Sequence, residues 1–343
     1  MRAYVRRSDT PGDARVDDVD DPAPGPGEVV LRVSACGICG SDLHALRADP
    51  GFEFVAQPVV LGHEFSGVVD AVGAGVTSVR VEDRVVAISI QGCGRCATCR
   101  SGATQLCADR RVIGLHHDGG LAQRVTVGER YLVPVPDDLD LTLAALTEPL
   151  SVAVHAVLGR TRIVPGDRVV VSGPGTIGLL CARLAVLSGA HVVVLGTSAD
   201  EGRRLPIATD FGAHAVTVDG DAKAAAHAAF GGRTADIWVE ASGAGPALAA
   251  AVSGGVRRGG HVTVVALYAD AVPIVPTDAV RDELSIAFSY ASSLPDYVRA
   301  LDLLTSGAVD GAALVDEFPL AEAQRAVDAA YAAETVKPLI VTA

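Results

Sequence analysis

The sequence has very little lysine, and this scarcity limits the partners that the protein can bind. Lysine occurs only at positions 223 and 337 of the 343 residues, and the formal net charge is −13 at pH 7. Proteins that bind nucleic acid neutralise its phosphates with clustered Lys and Arg side chains, whereas the arginines here are scattered. We therefore expect a small-molecule substrate and no nucleic-acid partner.

The chain also lacks a long uninterrupted apolar run. Its most apolar stretch, Val169 to Val186, is broken by Ser172 and the turn 173–175, which is the pattern of a strand, a turn and a helix. The N-terminal residues enter a strand-like pattern without an apolar signal region. We expect no membrane insertion and a cytoplasmic location.

Seven cysteines in such a chain indicate metal binding or catalysis rather than disulfides.

Residues before about position 150 have the pattern of a β-rich domain. Short apolar runs are separated by turns rich in Gly and Pro, which predicts an irregular β-barrel or sandwich. Its strands are expected at 28–33, 65–72, 81–90 and 121–127.

Beyond that position, apolar strands alternate with helical segments. This alternation predicts parallel βαβ units and a doubly wound sheet. The strands are expected at 169–171, 191–195, 236–240 and 261–267. We place the first domain at residues 1–151 and the second at 152–288, with residues 289–343 returning to complete the first.

Four cysteines in one short segment are the most specific signal in the sequence. They are Cys93, Cys96, Cys99 and Cys107. Thiolates at this spacing can converge on one tetrahedral zinc ion, and four thiolates leave no open position, which predicts a structural site. Free loop cysteines, or a zinc ribbon that binds nucleic acid, would use the same residues, but the negative charge argues against the ribbon.

A second set of possible metal ligands is spread over three segments. It comprises Cys36 or Cys39, the adjacent His63 and Glu64, and Glu148 further along the chain. One thiolate, one imidazole and one carboxylate together with a water form an open zinc site of the catalytic type. Each residue alone is equally compatible with ordinary packing. Together with the four-cysteine segment, they predict a catalytic metal.

Residues 173–178 match the pattern G-x-G-x-x-G that binds the pyrophosphate of a dinucleotide. The match follows a strand and opens an amphipathic helix, which is the context that makes the pattern informative. Gly173 forms the turn, Gly175 allows the pyrophosphate to approach, and Gly178 allows close packing of helix on strand. Thr176 and Ile177 begin the helix, whose free N–H groups favour phosphate.

Several stretches of the chain resemble the zinc-containing medium-chain dehydrogenase/reductase family. The resemblance covers essentially the whole sequence, and the residues around Glu148 are most similar to the sorbitol, or polyol, dehydrogenase branch. It implies a GroES-like catalytic domain, a Rossmann domain, two zinc ions per chain, and a homodimer or homotetramer. The stretches that carry the resemblance are 39–44, 62–67, 93–107, 118–122, 148–152 and 336–337.

The resemblance also implies which residues hold the catalytic zinc. Cys39, not Cys36, is then the sulfur ligand, and His63 is the nitrogen ligand. Either Glu64 or Glu148 is the third protein ligand, since relatives use a carboxylate at both positions.

Two polar residues after Cys39 resemble the proton relay of the family. In such a relay the hydroxyl of Ser41 passes the alcohol proton toward the imidazole of His44 and solvent. Without the resemblance, Ser41 is equally a helix cap and His44 a surface histidine. Asp42 matches the residue that orients the metal ligands. We expect Ser41, His44, Glu64 and Glu148 to be catalytic.

The end of the second parallel strand bears on the choice between NAD and NADP. An acidic residue about 20 residues after the glycine turn usually binds the adenosine ribose, and Gly196 stands at that position. A glycine there does not repel a 2′-phosphate, which favours NADP(H), although Asp200 or Glu201 could replace the missing acid. The groups that could bind the phosphate are Thr197, Ser198, Arg203 and Arg204.

By the resemblance, the substrate is a secondary alcohol of a polyol, sugar or (amino)cyclitol. Polyol dehydrogenases typically carry an Arg-Tyr pair where this chain has Ser289–Tyr290, and a hydroxyl cannot replace a bidentate cation, which argues against sorbitol itself.

Two alternatives use the same fold: a zinc-free reductase of quinones or activated alkenes, and a non-enzymatic structural protein that binds dinucleotide. The metal-ligand set argues against the first, and the Ser41–His44 pair against the second.

Overall fold

The computed structural model describes residues 1–342. The chain forms two compact units, one composed of Met1–Ser151 with residues 292–342 and the other of Val152–Ala291.

The strands, in chain order, are β1 (Arg2–Arg6), β2 (Ala14–Asp18), β3 (Glu28–Gly37), β4 (Val59–Val60), β5 (Glu64–Val72), β6 (Arg84–Ala87), β7 (Ile90–Gln91), β8 (Arg111–Val112), β9 (Arg124–Gly128), β10 (Leu132–Pro134), β11 (Arg168–Ser172), β12 (His191–Gly196), β13 (His214–Thr217), β14 (Ala235–Glu240), β15 (Val256–Val264), β16 (Ser285–Phe288), β17 (Val315–Pro319) and β18 (Lys337–Val341).

The helices are α1 (Gly40–Arg47), α2 (Ala97–Arg100), α3 (Leu141–Ala144), α4 (Thr147–Val154), α5 (Thr176–Leu187), α6 (Arg204–Asp210), α7 (Ala222–Ala229), α8 (Gly245–Ala250), α9 (Pro276–Arg281), α10 (Leu294–Thr305) and α11 (Ala323–Tyr331). Short helical turns cover Thr104–Leu106, Glu129–Tyr131, His155–Arg160, Ser198–Asp200, Ala251–Gly255, Ala312–Leu314 and Leu320–Glu322. Among the described residues, every helix falls short of the length and apolar character that a bilayer span requires.

The first unit is built on a largely antiparallel sheet with the long strand β3 near its centre. The strand order is β10-β6-β5-β3-β18-β17, and β9 also pairs with β3. Two smaller sheets, β2-β1-β4 and β7-β8, complete the strand pairing of this unit. Most side chains of β3 and β5 are buried, because both strands lie inside the sheet. The predicted irregular β unit is confirmed.

The register of this sheet brings together residues that are far apart in sequence. Gly37, at the end of β3, lies opposite Glu64 of β5 and opposite Leu339 of β18. Lys337 begins β18, and Cys39 lies two residues after the end of β3. The sheet therefore places Cys39, Glu64 and Lys337 at one end of three adjacent strands.

The strand expected at 81–90 is wrong in extent. Glu82 adopts a left-handed conformation with φ of 73°, and the paired strand covers only Arg84–Ala87. Ile90–Gln91 pairs separately with β8. A left-handed turn interrupts the extended run here, and the apolar pattern did not reveal it because the turn residue is Glu rather than Gly.

The second unit contains a parallel sheet of strand order β13-β12-β11-β14-β15-β16. The order reverses between β11 and β14, which is the point at which such sheets bind their ligands. Helix α5 follows β11 and buries Leu179, Leu180 and Cys181. This arrangement confirms the predicted doubly wound sheet.

Two strands of this sheet were not predicted. β13 and β16 are its edge strands, and both are largely exposed or half-buried. Their short sequences therefore lack the apolar run that marked the inner strands. The strand expected at 261–267 instead covers Val256–Val264.

Candidate active site

Three of the predicted metal ligands lie in one group. Cys39 precedes helix α1, His63 directly precedes β5, and Glu64 is the first residue of that strand. One ligand atom from each lies within 4.8 Å of the others. His63 and Glu64 are buried, whereas Cys39 is half-buried. We call this group, with the neighbouring Glu148, the mixed-ligand site.

His63 has a buried nitrogen without a hydrogen-bond partner. Its Nε2 lies 3.2 Å from Oγ of Ser41, whereas its Nδ1 is 3.7 Å from Oδ1 of Asp42 and makes no hydrogen bond. Burial disfavours the imidazolium form, but the charges of Asp42 and Cys39 outweigh it and raise the pKa of His63 well above its usual value.

Asp42 holds together the two segments that carry the ligands. Its Oδ2 accepts a hydrogen bond from the backbone N–H of Cys39 at 2.9 Å, and its Oδ1 accepts one from Gly62 at 3.3 Å. The side chain is fully buried, and burial raises the pKa of Asp42. The carboxylate therefore both caps helix α1 and fixes the residue before His63.

Glu64 forms a buried ion pair with Lys337. Nζ of Lys337 donates to Oε1 at 2.8 Å and to Oε2 at 2.6 Å, and it also donates to the carbonyl oxygen of Ile38 at 3.0 Å. Glu64 is 1% exposed and Lys337 is 3% exposed. Burial opposes the charge on Lys337, but Glu64 outweighs it and raises the pKa of the lysine. The sequence-based reasoning missed this role of Lys337. A lysine within the apolar strand β18 was a signal for a buried partner.

Glu148 is a second buried acid near this group. It lies in the first turn of α4 and is 8% exposed. Its Oε1 accepts a hydrogen bond from Oγ of Ser89 at 2.7 Å, and burial raises the pKa of Glu148. Its ligand atoms lie outside the group formed by Cys39, His63 and Glu64.

The donor set of the mixed-ligand site fits a zinc ion. Asp42, Glu64 and Glu148 are three buried carboxyl groups, and Lys337 is the one buried lysine that opposes them. Buried charges require compensation, so a divalent cation suits this excess of acid. A thiolate, an imidazole nitrogen and a carboxylate are ligands that zinc commonly takes, and three of them leave a position open for substrate.

Ser41 and His44 have different hydrogen-bond partners. Ser41 contacts His63, whereas Nδ1 of His44 lies 2.7 Å from Oδ2 of Asp49. The His44 ring also stacks on Phe52, with ring centroids 5.1 Å apart. Both residues belong to α1 and are three positions apart, so they lie on the same side of the helix.

The four-cysteine segment forms a second group. One sulfur from each of its members lies within 4.8 Å of the others. The members are Cys93, Cys96, Cys99 and Cys107, which we call the cysteine lobe. Backbone N–H groups of Arg95 and Cys96 lower the pKa of Cys93 to about 6. No disulfide joins cysteines within residues 1–342. Four sulfur ligands fit a closed zinc site.

The glycine turn is closely packed at the first and third of its three glycines. Gly173 has φ of 91°, and a Cβ there would lie 2.6 Å from Cα of Ser242. A Cβ on Gly178 would lie 1.8 Å from the carbonyl oxygen of Gly173. A Cβ on Gly175 would meet no protein atom within 4 Å. Because internal packing does not require the second glycine, open space at this turn fits a phosphate group.

Asp200, the acid beside Gly196 at the end of β12, is already hydrogen-bonded. Asp200 uses Oδ2 to accept hydrogen bonds from the N–H and hydroxyl of Thr197, at 2.9 and 3.0 Å, and pairs with Arg204 at 3.2 Å through Oδ1. Thr197 and Ser198 are exposed, whereas Arg203 and Arg204 are half-buried. A Cβ on Gly196 would lie 2.9 Å from Leu205, so packing also favours glycine here.

A buried carboxylate at the end of β14 was not predicted. Glu240 is fully buried and accepts hydrogen bonds from Ser242, Gly243 and the hydroxyl of Tyr268. Burial and the neighbouring Glu240 raise the pKa of Tyr268. A single Glu at the end of an apolar strand was the available signal.

Comparison with known proteins identifies the family. Residues 25–137 match the alcohol dehydrogenase GroES-like domain, and residues 176–306 match the zinc-binding dehydrogenase domain. A sorbitol dehydrogenase of Halalkalibacterium halodurans is 35% identical over 345 residues, covering 99% of each chain. The chain belongs to the zinc-binding alcohol dehydrogenase family.

Solved structures resemble this dehydrogenase along its full length. A zinc-binding dehydrogenase from Sinorhizobium meliloti bound to NADP has a TM-score of 0.90 and 32% identity, with 99% of each chain covered. An alcohol dehydrogenase from Escherichia coli CFT073 complexed with NADH has a TM-score of 0.90 and 25% identity, covering 100% of this chain and 99% of that one.

Family membership settles the class of reaction. The dehydrogenase is an NAD(P)-dependent, zinc-binding oxidoreductase that acts on CH–OH groups of small-molecule alcohols. The zinc-free reductase and the non-enzymatic structural protein find no support in these matches.

Proposed function

We propose that this dehydrogenase oxidises a secondary alcohol of a polyol, sugar or (amino)cyclitol and reduces the matching ketone in the reverse direction. The observation that carries the proposal is the convergence of Cys39, His63 and Glu64 in one buried group. The sorbitol dehydrogenase relative supports a polyol-like substrate. Ser289, where polyol dehydrogenases typically carry Arg, argues against sorbitol itself.

The two ligand groups support a count of two zinc ions per chain. The cysteine lobe would hold a structural ion, and the mixed-ligand site a catalytic one. We assign Glu64 as the third protein ligand, because its carboxylate lies with Cys39 and His63, and Glu148 as the neighbouring acid. When bound, zinc supplies Lewis-acid polarisation of the alcohol oxygen, and NAD(P) accepts the hydride.

Ser41 and His44 would remove the alcohol proton. Oγ of Ser41 is 3.2 Å from Nε2 of His63, so an alcohol held beside the metal ligands is within reach of this hydroxyl. Nδ1 of His44 faces Oδ2 of Asp49 at 2.7 Å, which leaves Nε2 as the ring nitrogen that would accept the proton. The proton would pass from the alcohol to Oγ of Ser41 and then to Nε2 of His44.

A preference for NADP(H) is supported by the end of β12. Gly196 carries no acid, and both carboxylate oxygens of Asp200 are already engaged by Thr197 and Arg204. Glu201 accepts a hydrogen bond from Thr217 at 2.8 Å. Asp200 is therefore engaged within its own loop, and the nearby arginines Arg203 and Arg204 favour a 2′-phosphate.

Assembly as a homodimer or homotetramer is supported by the edge of the parallel sheet. β16 is an edge strand, and its Phe288 is 68% exposed. Val280 on the preceding helix is 74% exposed. An exposed apolar sheet edge favours pairing with another chain.

Phe288→Glu should therefore shift the protein to a smaller species in light scattering coupled to gel filtration, and an unchanged mass would contradict this interface.

A substrate panel tests the proposed activity. Polyols, cyclitols and their ketones are assayed with each oxidised or reduced cofactor by the absorbance of reduced nicotinamide. We expect turnover of a secondary alcohol, a higher kcat/KM with NADP(H), and loss of turnover on chelation that zinc restores. Reduction of quinones or activated alkenes that survives chelation would overturn the proposal. A higher kcat/KM with NAD(H) would overturn only the cofactor preference.

A further inference from the structure

A chain of hydrogen bonds leads from a buried tyrosine to Glu148. Tyr297 of α10 and Ser89, which follows β6, are both buried. The hydroxyl of Tyr297 donates to Oγ of Ser89 at 3.3 Å, and Oγ of Ser89 donates to Oε1 of Glu148 at 2.7 Å. These three groups come from segments that are distant in sequence, so the fold alone brings them together.

The donors in this chain have one consistent direction. The backbone N–H of Ser89 donates to the Tyr297 oxygen at 3.0 Å, so that oxygen is an acceptor and its own proton is free for Oγ of Ser89. The Ser89 proton is then directed at Glu148, because a hydroxyl has only one proton to give. Oε1 of Glu148 is therefore an acceptor, and Oε2 is left for another ligand.

The two acids of the mixed-ligand site are held in different ways. Both oxygens of Glu64 accept from the cationic Lys337, whereas Glu148 is held through one oxygen by a neutral hydroxyl. A neutral donor orients a carboxylate without cancelling its charge. Ser89 therefore fixes the position of the Glu148 carboxylate without placing a competing cation beside it.

We propose that Ser89 and Tyr297 are positioning residues that hold Glu148 beside the metal and so set how tightly the mixed-ligand site retains a divalent ion. The inference rests on the proposed function, since it requires a metal at Cys39 and His63. Ser89 acts directly on the carboxylate, and Tyr297 acts through Ser89. The effect on metal affinity should therefore be larger for Ser89 than for Tyr297.

Cobalt substitution provides a test that does not depend on turnover. The zinc of the mixed-ligand site is exchanged for Co²⁺, and the visible spectrum and a chelator competition report the environment and affinity of the ion. Ser89→Ala should weaken Co²⁺ binding by about 10- to 100-fold and change the visible bands, the range found when partners of metal ligands are removed. Tyr297→Phe should also weaken Co²⁺ binding, but by less. Ser89→Thr keeps the hydroxyl and should give the wild-type spectrum.

Matched variants separate positioning from damage to the fold. Tyr4→Phe removes the hydroxyl of another buried tyrosine, which donates to Gln324, and should leave the cobalt spectrum unchanged. Ser89→Cys keeps a similar side chain with a weaker donor, and it replaces Ser89→Ala if that variant does not fold. Glu148→Gln should weaken Co²⁺ binding at least as much as Ser89→Ala.

The outcomes distinguish this inference from the proposed function. Wild-type affinity and spectrum in a folded Ser89→Ala or Ser89→Cys protein would overturn the positioning role while leaving the metal site intact. The cobalt-substituted wild type should show a cobalt–thiolate band that is lost in Cys39→Ser. If the two proteins gave the same spectrum, the catalytic metal site itself would be overturned.

Discussion

The cysteine lobe and the mixed-ligand site are both suited to zinc, but they are assembled by different means. The lobe takes four sulfurs from the single segment 93–107, and local backbone N–H groups lower the pKa of Cys93. The mixed-ligand site takes its ligands from separate segments, and buried partners such as Asp42 and Lys337 hold them. A local site depends on spacing, whereas a dispersed site depends on the whole sheet.

This difference has a chemical consequence. Four thiolates fill the coordination of zinc, so the lobe can stabilise the fold but cannot take a substrate. Three protein ligands leave one position open, and the surrounding acids and hydroxyls can then act on a bound alcohol. The comparison predicts that damage to one site leaves the other largely intact.

Cys39→Ser should have the largest effect, because it removes the sulfur ligand at the reacting centre. We expect kcat/KM to fall by about a thousandfold or more, equivalent to roughly 4 kcal/mol of transition-state stabilisation. The unfolding midpoint should stay close to wild type. Cys36→Ala is the matched control, since Cys36 lies in the same segment but outside the ligand group. If Cys39→Ser retained turnover, the mixed-ligand site would not be the catalytic one.

Lys337→Gln should destabilise the first unit, because it leaves the buried carboxylate of Glu64 without its cation. Removal of one partner of a buried ion pair lowers the free energy of unfolding by about 3 kcal/mol. Denaturant titration measures this loss, and the zinc of the cysteine lobe should stay bound in the native protein. Lys223→Gln, at the other lysine of the chain, is exposed and should be neutral. Equal stabilities of the two variants would refute the role of the pair.

Cys99→Ser should affect folding more than chemistry. It removes one of four ligands of a closed site, and we expect the free energy of unfolding to fall by about 2 kcal/mol together with lower soluble yield. The kcat of the folded fraction should remain near wild type. Cys181→Ala, a buried cysteine outside both groups, serves as control. A stable variant with full zinc content would argue against a structural lobe.

Acidification should release the zinc of the mixed-ligand site. The charges of Asp42 and Cys39 raise the pKa of His63 despite its burial, and burial raises the pKa of Glu148. Groups with a raised pKa bind protons at higher pH, so protons compete with the metal earlier as the pH falls. Affinity should drop by about tenfold per pH unit for each proton displaced. Chelator titration across the acid range measures this loss of affinity, and an affinity that does not change as the pH falls would contradict the prediction.

The sequence predicted the lobe more completely than the mixed-ligand site for a physical reason. The cysteine lobe takes its four ligands from one short segment, Cys93 to Cys107, so their spacing in the sequence is enough to predict that they lie close together. The partner of Glu64 lies 273 positions away at Lys337, and only the pairing of β3 with β5 and β18 brings the two together. Similarly, no local pattern connects Ser89 to Tyr297.

The fold class was predictable, whereas several boundaries were not. Inner strands such as β11 and β12 are buried, and their sequences are continuous apolar runs that predict strands. The edge strands β13 and β16 lack such runs because one or both of their faces are exposed. The strand expected at 81–90 begins only at Arg84, because Glu82 adopts a left-handed conformation, which a Glu side chain does not indicate.

The metal content of the purified protein shows whether both ligand groups hold zinc. Elemental analysis of wild type and of Cys39→Ser, each normalised to folded protein, counts the zinc ions that every chain retains. We expect two ions per chain in the wild type and one in Cys39→Ser, the remaining ion being held by the cysteine lobe. A single ion in both proteins would show that Cys39, His63 and Glu64 do not bind zinc.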